Sequence, residues 1–287
     1  MKRYLRLKLF ILSVFLIFLS ACHKKQTPQS IRKTTEKATV MIDRGEYNAA
    51  IELLENELTS PVLNESQMTS AEEREELNLV LASAYAARAG VKIENYWDYL
   101  IGFDVFAKTK STDSSSSTLD MIPESMVPEN IDLETKDKIK KINTNIKDLQ
   151  AIEQKAAKIP LISESGSSDI LRARYFLKNT VKASSKLYRS MLTAVQLKYH
   201  LAQKTQLLIK TLNNQSDWCA IHISELSTWL GEALSLINDG LEDLAVAIPS
   251  EKENYKRMQA DIYKQQQDLT ASNEVSDISK VLCYLKK

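Results

Sequence analysis

The chain has 287 residues, with 38 Lys and Arg against 37 Asp and Glu, so it lacks the basic excess that a nucleic-acid footprint requires. Only six glycines and six prolines occur among many helix-forming residues, which predicts an all-α chain with long helices. The length suits one large or two small helical domains, enough to bury a core without staples.

The first elements are a basic start (Lys2, Arg3, Arg6, Lys8), an apolar run over residues 9–19, and the small residues Ser20 and Ala21 before Cys22. These are the parts of a secretory signal peptide, residues 1–21. An apolar run of eleven residues is too short for a bilayer core, which needs about 20. Leu19-Ser20-Ala21-Cys22 resembles the bacterial lipobox. The resemblance implies that the Cys22 thiol is diacylated, that the leader is removed, and that Cys22 becomes the first residue of a lipid-anchored protein. Two or more acyl chains hold stably where one holds marginally. No Asp follows Cys22, which by the same resemblance implies the outer membrane, with the body facing the periplasm. Cutting there leaves 266 residues and removes four basic side chains, so 34 Lys and Arg face 37 Asp and Glu. Residues 22–30 are polar, contain Pro28, and read as a tether.

A helix is predicted over 31–44, ended at Gly45 by a left-handed cap, and a second from about 46 to 58, broken at Ser60-Pro61. A third runs from about 71 to 88. The pattern Gly45-x-Tyr47-x-x-Ala50-Ile51, with Leu54, Leu58, Pro61 and then Leu81-Ala82-x-x-Tyr85, resembles the tetratricopeptide repeat. It departs from that motif at Thr34, where a large aromatic is usual, and beyond residue 91. The resemblance covers about one and a half repeats, whereas a stable array usually needs three or more. A generic helical hairpin fits the same residues. The TPR-like region is taken as residues 31–106.

Residues 91–106 hold Tyr96, Trp97, Tyr99, Phe103 and Phe106. They suit either a binding or membrane-contacting surface or a core plug between two halves, and their helical spacing favours the plug. Residues 107–130, with four consecutive serines from Ser114 and then Pro123 and Pro128, read as a linker or long loop. Residues 131–287 read as a long-helix bundle. An amphipathic helix is expected up to Pro160, a turn around Gly166 with Asp169 capping the next helix, and one long or two stacked helices over 170–212. A more apolar helix should follow over 218–248, with Gly231 and Gly240 as candidate breaks and Pro249 as its stop. Asp217, Glu225, Glu232, Asp239, Glu242 and Asp243, scattered through residues 217–248, favour a buried core helix over a membrane span, since a charge at the bilayer centre costs about 3 kcal/mol. Two last helices are expected over 251–269 and 275–285. The whole is antiparallel helices with short connections.

Chemistry is sparse. His23, His200 and His222 form no metal pair at helical spacing, and Cys219-x-x-His222 stands alone where zinc needs about four ligands. Ser30-x-x-Lys33 and Glu164-Ser165 are fragments of enzyme motifs without their companions. No catalytic residue, metal or cofactor is expected. Cys219 and Cys283 either form a disulfide, worth roughly 4 kcal/mol in the chain-entropy model, or remain two buried thiols.

The expected function is that of a non-catalytic helical scaffold anchored by lipid on Cys22. It would bind an envelope protein, with Tyr85, Tyr96, Trp97 and Tyr99 as contact residues. The alternative is a transporter-associated lipoprotein that binds or passes a small solute through a helical cavity. A structural role as a homo-oligomer is a third reading.

Overall fold

The computed structural model describes residues 29–59, 71–91, 159–213 and 223–271, together with positions 133, 136, 137 and 140. Every regular element among the described residues is helical. The signal peptide and Cys22, the aromatic residues Tyr96, Trp97 and Tyr99, the 107–130 linker, and Cys219 and Cys283 lie outside them.

Helices α1 (Gln29–Asp43) and α2 (Tyr47–Thr59) form a hairpin with a very short turn. Gly45 sits at φ +79°, a conformation that a Cβ would strain, and Gly45 and Glu46 donate to the carbonyls of Ile42 and Met41. Ala38 and Ala50 are fully enclosed, because small side chains let the two helices approach closely. Thr34 at the start of α1 bonds Glu57 at the end of α2. Helix α3 (Ala71–Arg88) packs on both, burying Leu77, Leu81, Ala84 and Tyr85, and Gly90 repeats the positive-φ stop.

The next delimited helix, α4 (Glu164–Phe176), starts where the sequence predicts a turn. Ser163 is its N-cap and accepts from the Gly166 amide at 3.1 Å. Gly166 is there for close approach. A Cβ would lie 3.3 Å from the Ile162 Cβ and 3.4 Å from the Ala89 carbonyl oxygen, where α4 crosses the end of α3. Asp169 is not a cap but a buried ion-pair partner of Arg88. Residues 170–212 resolve into two antiparallel helices. The chain turns at residues 177–179, and α5 (Ala183–Asn213) returns. Glu75 of α3 accepts from the Lys182 amide at 2.9 Å and so places a carboxylate at the N-terminus of α5. Arg189 of α5 donates to the Lys178 carbonyl at 2.9 Å, satisfying a group left orphaned beyond α4.

Helix α6 (Ile223–Ala247) runs unbroken through Gly231 and Gly240. Leu230, Ala233, Leu234, Ile237, Leu241 and Leu244 keep one buried stripe, and that packing outweighs a cost of about 1 kcal/mol per glycine. Pro249 opens a single 3-10 turn, and α7 (Lys252–Ala271) folds back on α6.

Two apolar clusters hold the molecule. The first runs from Ala38 to Val195 and draws on residues from either side of the 107–130 stretch. The second joins Leu197 and Leu201 of α5 to α6 and α7. Helix α5 serves both, with Tyr188, Met191, Leu192 and Val195 in the first and Leu197 and Leu201 in the second.

Charge is segregated along this half of the chain. Residues 170–216 contain nine Lys and Arg and no acidic residue; residues 217–250 contain six Asp and Glu and no Lys or Arg. The packing sets these segments together. Asp243 of α6 is 0% exposed and accepts from Arg189 Nε at 2.5 Å, with Lys186 Nζ 3.2 Å from its other oxygen. Arg174 of α4 reaches Asp239 at 3.0 Å. One helical stretch further along, His200 and Trp229 each bond the other's backbone carbonyl, at 3.1 and 3.3 Å, with rings stacked at 6.0 Å. Glu232 stands 3.7 Å from the same imidazole.

Burial raises the Asp243 carboxyl above the ordinary carboxylate value, against the pull of Arg189 and Lys186. The group therefore contributes stability that is fully present below the unfolded value of about 3.9 and is lost as pH rises through its folded value. The difference in urea midpoint between the native chain and Asp243→Asn, followed from pH 3 upward, should show this titration, and a pH-independent difference would contradict it. Asp243→Ala, which strands two nearly enclosed cations, should cost about 3–5 kcal/mol. Arg32→Ala, which breaks an exposed pair with Glu36 one helical turn away, should cost under about 0.5 kcal/mol by the same urea measurement.

Candidate interaction site

The densest set of specific polar contacts lies along the seam of α2, α3 and α4. Helix α3 runs antiparallel to both neighbours, so its last residue, Arg88, meets Asn48 near the start of α2 and Asp169 in the first half of α4. Arg88 donates Nε and Nη2 to the two carboxylate oxygens of Asp169 at 2.8 and 2.6 Å, and Nη1 to Asn48 at 2.7 Å. One guanidinium thus ties three helices, using the fork geometry that a lysine lacks. Its charge is further held by Asp169, whose hydrogen bonds raise the Arg88 pKa.

One turn earlier, Tyr85 is 1% exposed. Its hydroxyl donates to Glu55 at 2.5 Å and accepts from Arg172 Nη1 at 3.1 Å. Phe176 stacks on its ring at 5.9 Å, and the guanidinium carbons of Arg88 and Arg172 stand 5.0 and 5.7 Å from its centroid. Burial first, and the bond to Glu55 second, push the phenol pKa above its ordinary value. Tyr85, expected as a partner contact, is instead the centre of the seam. Its position one turn before the end of α3 puts it against α4, a helix that sequence reasoning did not place there.

What this region offers outward belongs to α4. Leu171 is 51% and Tyr175 72% exposed, one helical turn apart, and the exposed Arg172 lies between them. Tyr175 leans edge-on against Phe176 at 5.8 Å and is thereby held in place on the surface. An exposed leucine and tyrosine at i and i+4 were a legible signal. Reading 170–212 as one long or two stacked helices does not use it. Trp97, Tyr96 and Tyr99 lie outside the described residues, so the seam brings only Tyr85 of the four expected contacts into view.

Among the described residues, no three His, Cys, Asp or Glu side chains converge as a metal site, and no helix is long and apolar enough to cross a membrane. Comparison with family models, with curated proteins and with solved structures finds no match in any of the three.

Tyr85→Phe, which keeps the ring and removes both charge-assisted bonds of the hydroxyl, to Glu55 and from Arg172, should cost about 2–3 kcal/mol in urea unfolding. Tyr85→Ala should cost about 3–5 kcal/mol, because it also opens a cavity between α3 and α4. Equal losses in the two variants would mean that the ring packing adds nothing.

Proposed function

We propose that this chain is a lipid-anchored protein of the bacterial cell envelope, acting as a non-catalytic helical scaffold that binds another protein. The observation that carries the reading is the side-by-side arrangement of α1, α2, α3 and α4, with Leu171, Arg172 and Tyr175 left on the outside of the last helix. Successive antiparallel helices of this kind present faces on which partner helices and peptides dock. The contact geometry also supports the likeness to a tetratricopeptide repeat. Ala38, Ala50 and Ala82 lie where close helix approach needs small residues, and Gly45 takes the positive φ that the turn between α1 and α2 requires. The second hairpin is completed by α4, some 75 residues along the chain from the end of α3. An Arg between an exposed Leu and Tyr is the composition of an interface anchor rather than of a solvated face.

The lipid anchor rests on the sequence: a basic start, a short apolar run, and small residues before Cys22. The described helical body begins at Gln29.

Crosslinking in the native envelope followed by recovery of the protein tests the scaffold reading. One protein partner should be recovered with the native chain and should be lost with the Leu171→Ser/Tyr175→Ser variant. Both sites are exposed, so the variant should unfold at the same urea concentration as the native chain. Recovery of no protein from the native chain would reject the scaffold, and recovery undiminished in the variant would reject this face.

A further inference from the structure

We propose that the end of the helical body carrying Lys178, Val181, Lys182 and Val246 rests on an anionic lipid surface. The inference depends on the lipid anchor at Cys22, and it adds an orientation that the anchor alone does not supply.

The contacts that set the helices in register also bring these residues to one end. Thr34 near the start of α1 is level with Glu57 near the end of α2. Helix α3 antiparallel to α2 and α4 antiparallel to α3 put the start of α1, the start of α3 and the end of α4 on the same side. The bond from the Lys182 amide to Glu75, in the second turn of α3, marks that side at the beginning of α5. Asp243, paired with Lys186 and Arg189, brings the last turn of α6 to the same place. The chain therefore enters the folded body at the end where α4 turns into α5 and α6 turns into α7.

Only residues 23–28 separate Cys22 from the start of α1. The seven steps from Cys22 to Gln29 reach at most about 25 Å when fully extended, so a lipid on Cys22 keeps this end beside the bilayer. Tethering at that distance converts a weak surface contact into an intramolecular one, so a small patch suffices.

The patch has the composition of a membrane contact. Val181 is 78% and Val246 46% exposed, and Lys178 and Lys182 flank Val181 with exposed side chains. These lysines belong to the stretch of 47 residues without a single acidic side chain. Of the acids that oppose that stretch, Asp239 and Asp243 are engaged by Arg174, Arg189 and Lys186, while Glu242 stays exposed one turn before Val246; Lys178 and Lys182 are the outward charge of the turn between α4 and α5. Glu72, Glu76, Glu242, Glu251 and Glu253 are exposed on the same end, with Lys33, Arg74 and Lys252 beside them, so the basic character is confined to the turn between α4 and α5. Exposed apolar residues between lysines match the boundary of an anionic bilayer, where the charge sits over the headgroups and the valine over the acyl edge.

The test uses the lipidated protein reconstituted on two kinds of vesicle, one of phosphatidylglycerol with phosphatidylethanolamine and one of phosphatidylcholine alone. An impermeant amine reagent labels exposed lysines, which are read peptide by peptide by mass spectrometry. On the anionic vesicles Lys178 and Lys182 should label at least about threefold more slowly than on phosphatidylcholine, and high salt should abolish the difference. Lys264, on α7 away from this end, should label equally on both. In the Val181→Ser/Val246→Ser variant the protection should shrink while its urea midpoint stays unchanged. Equal labelling of Lys178 and Lys182 on the two vesicles overturns the proposal and leaves the anchor intact. Failure of the protein to remain with any vesicle overturns the anchor and the proposal together. Protection that appears only in native envelopes assigns the face to a protein and overturns the lipid contact.

Discussion

The carboxylate of Asp243 is the constraint around which the second half of this molecule is organised. It is fully enclosed, yet it is met by Arg189 and Lys186 from the facing helix. Desolvation works against it, as the direction of its pKa shows, so its value lies less in net stability than in register. Sliding α6 by one turn along α5 would bury Asp243 against apolar side chains and leave two nearly enclosed cations without a partner. The apolar stripe of α6 alone does not fix that choice, because Leu230, Leu234, Ile237, Leu241 and Leu244 repeat at spacings that tolerate a shift. Charge in sequence does the selecting: a basic α5 packs on an acidic α6, and His200, Trp229 and Glu232 close the other end of the same interface.

Helix α5 then transmits this order to the rest of the body. Its first half belongs to the core that includes α1 to α4, and its second half belongs to the core shared with α6 and α7. Arg88 plays the corresponding role at the other seam, joining α2, α3 and α4 through Asn48 and Asp169. The two cationic clasps hold α4 between them, and α4 is the helix that offers Leu171 and Tyr175 outward. A surface fixed from two sides suits a scaffold, since a preorganised face loses little entropy when a partner docks. The position of the Lys178–Lys182 turn follows from the same clasps.

Local signals in the sequence were reliable where a single residue type had a single physical use. Gly45 before Tyr47 and Pro61 after Thr59 marked the first hairpin, and α1, α2 and α3 begin and end within two residues of their predicted bounds. The all-α fold followed from composition. Signals with two uses were misread. Gly166 and the serines around it looked like a turn, whereas the glycine allows α4 to touch the end of α3 and Ser163 caps the helix. Asp169 had the identity of a cap and the position of an ion-pair partner. Tyr85 looked like a contact residue because α4 was not foreseen as its cover, and no local pattern predicts that a helix 75 residues away closes on it. The segregation of charge between residues 170–216 and 217–250 was fully legible and would have paired α5 with α6.

The most direct measurement is a double-mutant cycle on Asp243→Leu and Arg189→Met, read by urea unfolding. If the pair selects the register of α6 on α5, each single change should be strongly destabilising and the double change should recover much of the loss, with a coupling of about 2–3 kcal/mol. Additive losses, with no coupling between the two sites, would show that Asp243 and Arg189 do not act as a pair and would contradict the account.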